Sequence, residues 1–137
     1  MTTGYSGTPL AAKLGIGAGS RFLLDGAPEL PELALPDGAT TPGRGPYDVV
    51  VCFCPDAATM RRRFPALQRR TTPVGRLWVA WPKKSSGVRT DLTENEVRSY
   101  GLARGLVDVK VCAIDAIWSG LAFVVPVADR RAGAVRR

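Results

Sequence analysis

Apolar residues run unbroken from Val49 to Cys54, just after Tyr47 and Asp48. A strand covered on both faces has no polar side to alternate with, so Tyr47–Cys54 predicts a central strand of a parallel sheet. A second such stretch, Val74–Trp81, carries no charge beyond Arg76 and predicts its parallel neighbour. Pro55-Asp56 lies between them as a helix start. Ala57, Met60, Phe64 and Leu67 then recur at three- and four-residue spacing, leaving Arg61, Arg62, Arg63, Arg69 and Arg70 outside. Pro65 has no N–H for the carbonyl of Arg61, which predicts a kink or restart there.

Downstream, Thr93 and Glu96 form a T-x-x-E capping box. The helix it opens should reach about Ala103, pack through Leu92, Val97, Tyr100 and Leu102, and close at Gly105. Val107–Ile114 alternates like a half-buried strand. Asp115–Gly120 reads as a turn, and Leu121–Val127 as its antiparallel partner. Upstream, Thr8-Pro9 reads as N-cap and first position of a short helix carrying Leu10 and Leu14, stopped by Gly15 or Gly17. A strand at Arg21–Asp25 follows, then a poor helix around Glu29–Leu35 and a loop over residues 36–46 with an edge strand at Ala39–Thr41.

Strands alternating with helices predict an α/β fold: a Rossmann-like, mostly parallel sheet with right-handed crossovers, ending in an antiparallel β-hairpin. At 137 residues the chain holds one core, expected over residues 1–127, followed by a basic, disordered tail over 128–137.

The net charge of +7 is concentrated in two places. Asp129–Arg137 brings four Arg and one Asp; the arginine helix brings five more. Both clusters could meet phosphate, or be a solvated face and a tail. With three Cys and no His, an unpatterned cysteine count fits a reducing compartment. Neither a signal peptide nor a membrane span is evident, so a cytoplasmic location is expected. Cys52 and Cys54 share one strand face, and with no His to complete a thiolate set they read as small apolar core residues rather than metal ligands. The missing His also removes Ser-His and Cys-His catalysis. Asp25, Asp56 and Asp115 are left as conceivable general bases, and Lys83-Lys84 as a lysine activated by its neighbour.

Tyr47-Asp48-Val49-Val50 resembles the Y/F-D-x-V strand of class I methyltransferases, and Val74-Gly75-Arg76-Leu77-Trp78-Val79 their P-G-G-x-L strand. That resemblance implies a trimmed methyltransferase-like sheet and an S-adenosylmethionine or other nucleotide-using activity. However, Asp25-Gly26-Ala27-Pro28 replaces the G-x-G-x-G cofactor loop, and Ala39-Thr40-Thr41-Pro42-Gly43 supplies no acid for ribose hydroxyls. A second resemblance rests on Gly4–Ile16, W-V-A-W-P-K-K-S-S-G at Trp78–Gly87, D-L-T-E at Asp91–Glu94, and L-V-D-V-K-V-C-A-I-D-x-x-W-S-G-L at Leu106–Leu121. These strings are similar to a family of small bacterial proteins that forms a domain of unknown function. It implies no activity.

Open α/β sheets bind ligands beyond the carboxyl ends of their strands. Four segments should share that edge: Gly26-Ala27-Pro28, Pro55-Asp56, Pro82–Thr90 and Asp115–Gly120. Lys83, Lys84 and Arg89 bring charge; Ser85, Ser86 and the amides near Gly87 bring neutral donors. An anion site at residues 82–91 is therefore expected, facing Asp115 and an exposed Trp118, with Gly26 nearby; the plain alternative is a solvated loop. Trp78 and Trp81 fall on opposite strand faces, so at least one should pack beneath a helix. The sequence thus reads as a binding or regulatory module for an anionic small molecule or a protein partner. Its alternatives are an atypical methyltransferase or other nucleotide-using enzyme, and a nucleic-acid-associated protein.

Overall fold

Strands β1 (Phe22–Asp25), β2 (Tyr47–Phe53), β3 (Thr71–Pro82), β4 (Val107–Ala113) and β5 (Trp118–Val124) form one sheet in the order β1-β2-β3-β5-β4. The structure, a computed structural model, describes residues 8–130. β1, β2 and β3 are parallel; β5 enters antiparallel between β3 and β4. This is the α/β mixed sheet expected, with β2 and β3 at its centre.

Helix α2 (Ala57–Arg69) links β2 to β3, and α3 (Glu94–Ala103) links β3 to β4. Both lie on one sheet face. Ala57, Met60, Phe64 and Leu67 of α2 and Val97 of α3 pack there on Val50, Cys52, Cys54, Leu77, Val79, Trp81, Leu121 and Phe123. The opposite face takes the short helix α1 (Leu10–Leu14): Leu10, Leu14 and Ile16 pack on Val51, Phe53, Trp78, Ala80 and Ala122. Trp78 and Trp81 do fall on opposite faces, both buried. The Trp78 indole N–H donates to the Leu14 carbonyl at 2.9 Å and pins α1 to the sheet.

Several expectations need correction. α2 runs through Pro65 unbroken, because Met60, Phe64 and Leu67 on both sides of it sit on the same core. α1 starts one residue late: Pro9 is its N-cap, and Gly15 ends it in the left-handed conformation. Residues 29–35 form turns rather than a helix, since Pro28, Pro31 and Pro36 remove donors and hold φ. The edge strand at Ala39–Thr41 reduces to one bridge, Arg21 with Thr40. β3 begins earlier than expected. It bulges where Tyr47 pairs with Thr71 but Val49 with Arg76, two steps against five. Gly75 occupies the bulge, and a Cβ there would lie 2.8 Å from the Asp48 carbonyl oxygen.

β4 is an edge strand, and its side chains are mostly exposed rather than alternating. A register shift between Asp108 and Lys110 breaks the two-residue period. Leu102 of α3 faces solvent; Gly101 takes the inward place against Phe123. The expected tail begins inside a 3-10 turn, Val127–Asp129, and Arg130 donates to the Val125 carbonyl. Residues 131–137 lie outside the described part. Among the described residues, no helix is long and apolar enough to cross a membrane.

Candidate functional site

The carboxyl ends of β1, β2 and β3 and the β4–β5 turn do meet at one edge of the sheet. After Pro82 the chain makes a single 3-10 turn, Lys84–Ser86, closed by Gly87 at φ +79°. Only glycine adopts that angle at no steric cost, so the loop reverses here. The Ser86 hydroxyl donates to the Lys83 carbonyl and accepts from the Val88 N–H, so it is consumed in shaping the loop. Lys83 anchors the other side: its backbone N–H donates to the Ile117 carbonyl at 2.8 Å.

The loop then sweeps over the start of α3 and encloses an open concavity of about 610 Å³. Lys84, Gly87, Arg89, Asp91 and Glu94 line it, with Trp81 beside them. Four charges therefore face one hollow, two of each sign. The acids are engaged. Asp91 Oδ1 accepts the Ala57 N–H at 2.9 Å, capping α2 from outside, and Glu94 Oε2 takes Arg98 Nη2 at 2.7 Å. Lys84 and Arg89 are left without an ion-pair partner among the described residues, while Asp91 keeps its charge at the same wall.

The expected site residues do not all gather there. Lys84 and Gly87 line the hollow; Lys83, Ser85 and Ser86 belong to the turn before it and do not line it. Trp118 needs correction: it opens β5 instead of lying in the turn, and it is half-buried. Its ring packs edge-on to Phe53 with centroids 5.2 Å apart, on the α1 side of the sheet. The hollow lies on the side of Trp81, so Trp118 does not face it. Asp115 is a turn residue whose Oδ1 accepts from the N–H groups of Ile117 and Trp118, at 2.8 Å each. It borders a separate cleft of about 230 Å³ between Leu10, Leu30, Glu32 and Ile117. Gly26 ends β1 at φ +73°; a Cβ there would sit 3.3 Å from the Phe53 carbonyl.

The end of β1 carries an ion pair that was not apparent from spacing. Arg63 of α2 reaches back to Asp25 with two parallel hydrogen bonds, Nη2 to Oδ1 at 2.6 Å. The pair raises the Arg63 guanidinium above its ordinary value. Beneath it, Cys52 and Cys54 are buried with their sulfurs 3.4 Å apart. Their mutual hydrogen bond and then burial push the Cys54 thiol up, so it stays protonated. Asp56 is an N-cap: the Thr59 hydroxyl and N–H donate to its Oδ1 and hold its carboxyl below the usual range. Asp25, Asp56 and Asp115 are thus each occupied by a structural partner. No family model, curated protein or solved structure matches this chain.

Proposed function

We propose that the protein is a binding or regulatory module that recognises a small anion in the hollow of residues 82–91. One observation carries this reading. Glu94 is paired with Arg98 and Asp91 is held by the Ala57 N–H, while Lys84 and Arg89 make no ion pair with either acid. The glycine turn leaves backbone close by, and an open hollow of this size suits a small organic anion. Binding rather than catalysis is favoured because each carboxylate on the edge already has a structural partner.

The test is titration with inorganic phosphate. Lys84→Ala with Arg89→Ala should weaken binding at least tenfold. Stability should change by under about 0.5 kcal/mol, as surface substitutions usually do. Unchanged affinity in the folded variant rejects the site.

The sheet order supports reading the fold as a trimmed methyltransferase-like one, with β5 inserted antiparallel beside β3. The runner-up, an atypical methyltransferase, finds less support. The end of β1, where that family's cofactor loop belongs, carries Asp25 locked to Arg63. We expect no binding of S-adenosylmethionine tighter than roughly 10 μM, about −7 kcal/mol. Calorimetry showing tighter binding would favour the enzyme.

A further inference from the structure

Helix α2 separates its residues cleanly. At roughly 100° per residue, Ala58, Arg61, Arg62, Pro65, Ala66 and Arg69 fall within an arc of about 140° facing away from the core. The helix contains no acid. Arg63 is spent on Asp25, but Arg61, Arg62 and Arg69 are exposed and make no hydrogen bond or ion pair with another described residue. Asp56, the acid that caps the helix, is held by Thr59 and also feels the charge of Arg62 without an ion pair. At the carboxyl end Arg104 is fastened beside the helix by Gln68 Oε1 at 2.9 Å, and Arg70 by the Gly43 carbonyl. Both residues remain exposed, with the Arg70 guanidinium over the Tyr47 ring and that of Arg104 over the Phe64 and Tyr100 rings.

The chemistry of this face selects its partner. A membrane surface needs large apolar side chains to insert, and the face offers only Ala58, Ala66 and Pro65 between its arginines. A protein partner is usually gripped by aromatic anchors beside arginine, and no aromatic side chain lies on this arc. Single-stranded nucleic acid needs rings for base stacking, again absent. What remains is three guanidinium groups spread along about 12 Å of one helix face, each suited to bidentate contact with phosphate. We propose that the outer face of α2 seats the phosphate backbone of duplex nucleic acid without reading its sequence. This surface is distinct from the hollow of residues 82–91, and either could exist without the other.

The test is fluorescence anisotropy of the full chain on two labelled DNA duplexes of unrelated sequence, each roughly 20 base pairs, across about 25 to 200 mM KCl. Three contacts predict a slope of about −2.7 in log affinity against log salt, the same for both duplexes. Arg61→Gln, Arg62→Gln and Arg69→Gln together should cost at least tenfold at low salt and flatten the slope. The matching triple lysine variant keeps the charge and should bind within about threefold. Arg131→Gln, Arg136→Gln and Arg137→Gln together form the control and should also stay within threefold. Absence of binding at the lowest salt overturns the proposal. So does a tail variant that loses more than the helix variant, or affinity that differs tenfold between the two duplexes.

Discussion

Replacing Trp78 by Ala should cost about 3–5 kcal/mol, among the largest losses expected of a single change in the described residues. The side chain is fully buried at the sheet centre and belongs to the core beneath α1. Truncation leaves a void next to Gly120, whose Cβ position lies only 3.0 Å from the indole ring. It also orphans the Leu14 carbonyl that the indole N–H now satisfies. A helix of five residues has little stability of its own, so α1 depends on this attachment. Against a total of about 5–15 kcal/mol, the loss is a large fraction. Urea melts of Trp78→Ala and Trp78→Phe separate the causes. The phenylalanine variant keeps most of the packing and should lose only about 1–2 kcal/mol, mainly for the unsatisfied carbonyl. A loss under about 1 kcal/mol for Trp78→Ala would mean that α1 does not dock as described.

Gly101→Ala should destabilise by about 2 kcal/mol, against the ordinary preference for alanine in a helix. Alanine gains up to about 1 kcal/mol there by propensity. Overpacking costs about 1–3 kcal/mol, and this site is severe. A Cβ at Gly101 would overlap three atoms of the Phe123 ring. That ring has nowhere to go: it is fully buried and already meets Phe64 edge-on at 6.0 Å. Steric cost therefore outweighs propensity. Pairing Gly101→Ala with Phe123→Leu should recover part of the loss, a coupling that independent sites do not show. A stabilising Gly101→Ala would mean that α3 stands further from β5.

These two positions also show where sequence reading succeeds and fails. Trp78 and Trp81 were assignable to opposite faces because the strand period is two and both neighbours are apolar. Val49–Cys54 was legible for the same reason: an uncharged run has one plausible environment. Gly101 was not, because nothing local distinguishes a helix glycine facing a ring from one facing solvent, and Leu102 looked the better core residue. β4 misled because Val107, Val109 and Val111 suggest burial that an edge position withholds. At the site, Lys84, Gly87 and Arg89 were recoverable from one short loop. Trp118 was misplaced by the length assigned to the turn; β5 starts three residues earlier than expected, on the opposite side from the hollow. The pairing of Asp25 with Arg63 and of Asp91 with the Ala57 N–H spans 38 and 34 positions, and local pattern carries no such information.

Lys84 and Arg89 line a hollow at the carboxyl edge of the sheet without an ion-pair partner among the described residues. Amide chemical-shift mapping during a titration with inorganic phosphate tests the anion site most directly. The account predicts saturable shifts clustered at Lys84, Gly87, Val88, Arg89 and Thr90, with Trp118 and the Asp115 turn little affected, and their loss in the Lys84→Ala, Arg89→Ala variant. Shifts confined to α2, or no saturable shift in the loop, would contradict it.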